Sequence, residues 1–506
     1  MEHSNSSNTV FLTADAQSKH AGAARSGQDA VQWQAVEVDL AASTANGLSA
    51  IKEQKPFQDS YFPRYEYTNS GGDMDIEERP SWGYALVLGL QHLLAMFGAT
   101  VLIPSLMGFD VSTTLFFSGV GTLLFYGLVG GRVPAYLGAS AAFLSCVNTA
   151  TAYKPAFFGQ LNPNVRIAQG GIFVVGIVYA VVGAIVHFVG SAFLQVLMPP
   201  LVSGSVVMAI GLNLAGIGVS NANANVDAPW QTCVAILVIG AFAAFGPGFS
   251  KQIPILFGLV LAYVIAVIAG SRNGRPLDYT FLNEAAWVAA PKFTAPVFDG
   301  SAIATILPAV IVLLAENMGH VATIGSITNR DLNGYLGRAF LGDALATMIS
   351  SIGGGAGVTT YAENIGTMLK TKAVTRVYSS VIFIFAAVFA IILSFIPKFT
   401  ALINTIPPGI WGGVEIILFG LISITGARIW AQNKVDLGEP KNLFIAAVVV
   451  ILGAGMPSLP GGVVKLSSTF QLDGIGLSAI VALVLNLAVF VIPDAIKSLV
   501  EKKKYS

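Results

Sequence analysis

From Ser81 onward the chain alternates long apolar runs with short polar connections. Fourteen runs begin near Trp82, Val111, Val133, Ile167, Phe193, Pro229, Gln252, Ser301, Arg338, Gly357, Val377, Asn404, Lys441 and Gly474. Most approach the roughly 20 residues that cross a bilayer as a helix. The pattern therefore predicts an all-α membrane protein with fourteen transmembrane segments. Segments three and ten break the pattern. Segment three opens Val133-Pro134-Ala135-Tyr136-Leu137-Gly138-Ala139-Ser140, and segment ten is entered through Gly353-Gly354-Gly355-Ala356-Gly357-Val358-Thr359-Thr360-Tyr361. Runs so rich in Gly, Pro and β-branched residues predict short strands and half-helices. Each holds third place in its set of seven, which is how a transporter built from two repeats marks its binding site. Gln91 and Glu316 stand 225 residues apart, and Tyr136 and Tyr361 share that offset. Seven segments per repeat is an odd number, so the two repeats are expected to be inverted relative to each other.

Residues 1–80 read differently: they are polar, rich in Ser, Asn, Ala, Asp and Gln, and lack an apolar run behind a basic start. A disordered cytoplasmic tail without a signal peptide is expected. Within it, Gln58 to Tyr67 has the aromatic content to pack under the membrane part.

Composition agrees with the pattern. Hydrophobic residues make up 54% and charged residues 11%, with a mean hydropathy of +0.71, far from the roughly 25% charged content of soluble domains. The 27 basic and 27 acidic residues cancel, so nothing points to nucleic acid as a partner. Cys146 and Cys233 lie inside apolar runs and read as free buried thiols. With the tail inside, inner loops and C-terminus hold fourteen Lys or Arg, outer loops seven and the tail six. That bias puts both termini in the cytoplasm. The strongest inner clusters are Lys370, Lys372 and Arg376; Arg428, Lys434 and Lys441; and Lys497 with Lys502, Lys503 and Lys504.

Candidate chemistry comes from ionisable groups in lipid-like surroundings, where each costs about 2.5 to 3.5 kcal/mol on insertion scales. Glu316 and Glu363 are the two that favour a site. Glu316 and His320 are four residues apart and share a helix face, which makes Glu316 the candidate for a coupled proton and His320 its partner. Glu363 follows the broken backbone of segment ten. Gln91 and His92 belong to segment one, where polar side chains serve equally to knit helices together. His187 and Asp343 read as satisfied packing groups, and Glu415 is left unassigned. The glycine run 353–357 is not a phosphate loop, since no Lys-Ser or Lys-Thr follows it. Only an ExxxH spacing is present, with no HExxH or Cys set, so neither metal nor cofactor is expected.

Four motifs in order then carry a resemblance. They are Gln91-His92-Leu93-Leu94-Ala95-Met96-Phe97-Gly98-Ala99-Thr100-Val101-Leu102, Pro134-Ala135-Tyr136-Leu137-Gly138, Ala315-Glu316-Asn317-Met318-Gly319-His320 and Tyr361-Ala362-Glu363-Asn364-Ile365-Gly366. Over about residues 82–497 the chain resembles the nucleobase/ascorbate transporter (nucleobase:cation symporter-2) family, most closely its bacterial-type uracil and pyrimidine permeases. The resemblance implies two inverted seven-segment repeats folded into a core domain, residues 81–192 and 272–398, and a gate domain, residues 193–271 and 399–497. Tails of residues 1–80 and 498–506 flank them.

It also implies that Glu316 and Glu363 accept the ring N–H groups of a base. Backbone amides near Ala141 and Ala362 would donate to its carbonyls, Phe419 would face it from the gate, and Gln91, His92 and Tyr361 would support the site. Such buried acceptors reject analogues that lack the matching donors. The function implied is not enzymatic. It is proton-coupled nucleobase import at the plasma membrane, uracil or pyrimidine:H+ symport by alternating access, because Glu363 stands where purine-type members would carry glutamine. Protons, the base and the lipid bilayer are the partners, with a homodimer among the assemblies allowed. Alternatives are a xanthine or uric acid symporter, an anion exchanger or channel on the same fold, and an intramembrane metalloenzyme. Three departures stand out: Ala141 and Ala362 replace an aromatic residue and a glycine, about four extra residues including Lys370 and Lys372 follow Met368, and Glu415 replaces a small residue.

Overall fold

The polar breaks in the hydropathy pattern become helix ends. Ser81 caps the first long helix by accepting from the Tyr84 amide (3.4 Å), and Asp110 caps the second by accepting from Thr113 (2.7 Å). Asp299 and Asp473 cap two later helices in the same way, each satisfying amides that have no partner within the helix. The computed structural model describes residues 57–68, 74–155, 158–368, 378–467, 471–493 and 496–497. The expectations for residues 1–56 of the tail, for Lys370, Lys372 and Arg376, and for residues 498–506 with Lys502, Lys503 and Lys504 fall outside the described residues.

In chain order the elements that matter for the site are strands β1 (Glu66–Tyr67) and β2 (Glu78–Arg79), then helices α1 (Trp82–Met107) and α2 (Val111–Leu128). Strand β3 (Leu137–Ala139) follows, with half-helix α3 (Leu144–Thr151) and helices α4 (Val165–Val189), α5 (Pro200–Ala222), α6 (Ala228–Phe245) and α7 (Pro254–Arg272). The second half contributes α8 (Gly300–Ile306), α9 (Ala309–Thr328), α10 (Leu336–Gly353), strand β4 (Val358–Thr360) and half-helix α11 (Ala362–Met368). It closes with α12 (Val381–Ser394), α13 (Pro397–Asn404), α14 (Pro408–Gln432), α15 (Pro440–Gly455), hairpin β5 (Val463–Lys465) and β6 (Gln471–Asp473), and α16 (Gly474–Asn486).

Ten spans among the described residues are long and apolar enough to cross a bilayer, or eleven if α12 and α13, bent by 81°, are one. Ten or eleven of the fourteen apolar runs therefore pass as full-length crossing helices among the described residues. The shortfall has a local cause. Helix α10 carries Arg338 and Asp343, and the helical parts of segments three and ten are only 8 and 7 residues long.

Between those two half-helices the backbone runs as strands. β3 and β4 pair antiparallel, Leu137 with Thr360, Gly138 with Thr359 and Ala139 with Val358. Glycine is required here by close approach. A Cβ on Gly138 would stand 2.5 Å from the Tyr361 ring, and one on Gly357 would stand 2.2 Å from the Phe143 ring. The offset of 225 residues does not carry over to this pair: Tyr136 precedes its strand, whereas Tyr361 follows its own.

The helices pack in two groups. α1, α2, α4, α10 and α12 pack on one another, as do α5, α6, α7, α14, α15 and α16, and α9 lies against α5 and α16 where the groups meet. Cys146 is buried but Cys233 is exposed, because an apolar position on a membrane helix can face lipid as readily as protein. Residues 57–68 and 74–80, expected to be disordered, pack on the membrane part instead. Partly buried Phe57 packs against the hydrophobic core, and Tyr61 donates to the carbonyls of Gly127 and Leu128 (both 2.9 Å).

Candidate functional site

The two strand and half-helix units meet α9 and α14 around a cavity with about 70 Å³ of free space. One wall is made by the strand ends and half-helix starts, Ala139, Ala141, Tyr361, Ala362 and Glu363, with Ala99 and Ile103 of α1 beside them. α9 contributes Glu316, Gly319, His320 and Thr323. The facing wall is apolar except for Thr425: Val207 and Ile210 of α5, and Leu418, Ile422, Thr425 and Ile429 of α14. Glu316 to Thr323 on α9 run toward the face that carries residues 57–68 and 74–80, since α9 ends at Thr328 and Arg330, just beyond it, pairs with Asp75.

The polar side chains have defined partners. Ser140 donates to Glu316 Oε2 (3.1 Å) while its oxygen accepts from the Ala142 amide (3.2 Å), so one hydroxyl caps the segment-three turn and orients the carboxylate. His320 does not bond Glu316. Its Nδ1 pairs with the Thr360 hydroxyl (2.9 Å), because β4 runs past that face of α9 and presents Thr360 there. Ala141 opens the turn Ala141–Phe143 and Ala362 opens α11, so their amides are among those a helix start leaves without an internal partner.

The other expected residues divide. The Tyr361 ring lines the cavity and its hydroxyl donates to the Ala139 carbonyl (2.6 Å). Gln91 bonds Gln252 at the approach to α7, away from the cavity. His92 is held by Asn364 and Thr367 of α11 (3.2 and 3.1 Å) and lies on the Phe383 ring, which makes it a tie between helices. Phe419 is fully buried but does not line the cavity; its neighbours Leu418 and Ile422 do, since α14 turns them toward α9 and Phe419 away. His187 packs against Gly337, and Glu415 takes two hydrogen bonds from Asn221 (3.0 and 2.8 Å), both outside the cavity.

Three features were not legible from motifs. Asp343, read as a packing group, accepts from Asn317 (2.5 Å), from the Thr359 hydroxyl (2.8 Å) and from the Thr360 amide (3.5 Å), tying the neighbour of Glu316 to β4. Its being acidic inside an apolar run was the available signal. Ser140 was the second, visible only as a polar residue before a half-helix. The third is a set of contacts away from the cavity lining: Phe158 stacks on buried Trp411 at 4.5 Å, and Gln471 donates to the Thr149 carbonyl (3.5 Å). Among the described residues, no group of three or more His, Cys, Asp or Glu could hold a metal ion.

A family profile designated Xan_ur_permease and described as Permease family matches residues 83–462. RutG, a candidate pyrimidine permease of Escherichia coli (strain K12), is 45% identical over 431 residues, covering 84% of this chain and 94% of that protein. The uracil permease of Bacillus caldolyticus is 39% identical over 446 residues, 85% of this chain and 98% of its own length. Among solved structures, the transmembrane domain of the cyanobacterial bicarbonate transporter BicA gives a TM-score of 0.54 at 14% identity, covering 79% of this chain and 96% of that one. The murine anion transporter Slc26a9 in its inward-facing state gives 0.58 at 11% identity, covering 81% of this chain and 68% of that one. At these identities the likeness is one of fold.

Proposed function

The chain belongs to the permease family that matches its residues 83–462, and from that premise we propose that it imports uracil or a related pyrimidine base together with protons. It is a multi-pass membrane transporter and not an enzyme. The observation that carries the substrate is the pairing of two carboxylates with two helix-start amides around one small cavity. A pyrimidinedione offers two ring N–H donors and two carbonyl acceptors on a flat ring. Glu316 and Glu363 accept from the donors, and the amides of Ala141 and Ala362 serve the carbonyls. Leu418, Ile422, Val207 and Ile210 cover the ring face. An analogue without the N–H groups leaves buried acceptors unpaired and is rejected.

Transport follows by alternating access between the two helix groups, read as core (α1 to α4 and α8 to α12) and gate (α5 to α7 and α14 to α16), in fourteen segments forming two inverted repeats. The cavity lining on α9 leads toward the face of residues 57–68 and 74–80, and we read the Phe158–Trp411 stack, which precedes Leu418 along α14, as the closure of the opposite end. With both termini cytoplasmic, as the basic residues favour, this arrangement is the inward-facing one. Glu316 carries the coupled proton, and His320 acts on it through the shared cavity wall rather than by direct contact.

Anion exchange is the second reading, because the solved structures of like fold are a bicarbonate transporter and an anion transporter. Two carboxylates in the cavity oppose it, since they repel an anion. Uptake of radiolabelled uracil in transport-null cells decides. Unlabelled uracil is expected to compete better than adenine or xanthine. Preferential uptake of xanthine, or bicarbonate flux without uracil uptake, overturns the reading.

A further inference from the structure

The residues just ahead of the matched family region hold together two parts of the chain on which the cavity depends. Two arginines are buried at this face. Arg132, 1% exposed, stands at the approach to β3, and Arg330, 6% exposed, follows the helix that bears Glu316. A guanidinium stays charged, so its burial demands charged or hydrogen-bonding acceptors. Arg132 donates to the carbonyls of Gln58 (2.8 Å) and Ser60 (2.6 Å) and to Glu77 Oε1. Arg330 pairs with Asp75, and its Nη2 stands 3.9 Å from Glu77 Oε2. One carboxylate thus faces both arginines. The Phe57 ring lies 5.1 and 4.7 Å from their guanidinium carbons. Tyr65 pairs with Tyr126 of α2 (2.9 Å), and Met74 accepts from the Tyr378 amide (3.2 Å). Burial, with the Tyr126 contact, pushes the Tyr65 phenol well above its ordinary range, so it remains a neutral hydrogen-bonding group.

We propose that residues 57–68 and 74–79 form a strap that belongs to the transport machinery, with Glu77 as a positioning residue fixing segment three relative to the helix of Glu316. Five residues along the chain from Arg132, β3 begins and leads to Ser140; Arg330 follows the end of α9, a single helix that carries Glu316. Joining both arginines to one carboxylate limits how far Ser140 and Glu316 can part. The strap makes these contacts outside the cavity, so it acts through backbone placement rather than on the ligand.

The transport readout rests on the uracil reading; a second readout does not. In the full-length chain, Glu77→Gln is expected to raise the KM for labelled uracil about fivefold, with surface abundance within about twofold of wild type. In a background lacking Cys146 and Cys233, the maleimide labelling rate of Thr323→Cys at the cavity is expected to change about threefold when Glu77→Gln is added. Glu77→Asp keeps the charge but is one methylene shorter, and carries the same test if Glu77→Gln does not reach the membrane. Lower abundance with unchanged KM and labelling would reduce the strap to a stabilising contact and overturn the proposal. If wild type takes up no uracil, the substrate reading fails while the labelling result still decides the strap.

Discussion

At the scale of single residues, Glu316 has one neutral donor, Ser140, and no salt bridge among the described residues. A carboxylate so placed has acceptor capacity left for a ligand. Ser140→Ala removes the donor and the turn's cap together, and a hydrogen bond to a charged group contributes about 1.5 kcal/mol, or roughly tenfold in binding. The expected outcome is a KM for uracil about tenfold higher at near-normal maximal rate. Initial-rate uptake at matched surface expression measures it, and an unchanged KM removes Ser140 from the site. His92 and Gln91 show the opposite case. Both are polar and buried, yet their partners, Asn364 with Thr367 and Gln252, spend them on joining helices.

At the scale of elements, the paired strands and half-helices bring the candidate residues together. Gly357→Val places branched carbon where the Phe143 ring already stands, and overpacking of this kind costs about 1 to 3 kcal/mol. Loss of most uptake is expected while the chain still reaches the membrane, since the long helices that insert it are untouched; full uptake at equal surface level would count against a tight strand pair. The Phe158–Trp411 stack, proposed above as the closure at the other end, is separable from the site. An aromatic pair adds about 0.5 to 1.5 kcal/mol beyond its buried area. Trp411→Ala should therefore raise the rate at which an impermeant maleimide, added from outside, labels Ile103→Cys by roughly two- to tenfold. A rate equal to that of the parent would place the outer closure elsewhere.

At the scale of the whole molecule, coupling requires that loading of one carboxylate be linked to which face the cavity opens upon. Glu316 faces the junction of the two helix groups, whereas Glu415 is tied within one group and Asp343 is already held by Asn317, Thr359 and the Thr360 amide. In proteoliposomes with an imposed pH gradient, the wild type should accumulate uracil toward the alkaline side. Glu316→Gln keeps a similar shape but cannot titrate, and should exchange uracil without accumulating it. Gradient-driven accumulation by that variant hands the proton to another group.

The sequence alone determined the membrane class, the place of the two interrupted segments and the acids Glu316 and Glu363 as candidates. These are local properties: hydropathy over about twenty residues fixes what enters a bilayer, and clustered Gly and Pro break a helix wherever it lies. Tertiary structure decided which side chains meet. On a helix in lipid every face is apolar, so the pattern does not tell a buried face from a lipid face, and rotational phase is set only by neighbouring helices. That is why Phe419 turned out beside the cavity rather than in it, and why Cys233 was exposed. It is also why His320 pairs with Thr360 across 40 residues of chain. The packed residues 57–68 and 74–80 follow the same logic: Arg132 and Arg330 become buried only once distant loops meet, and only then do Asp75 and Glu77 acquire partners.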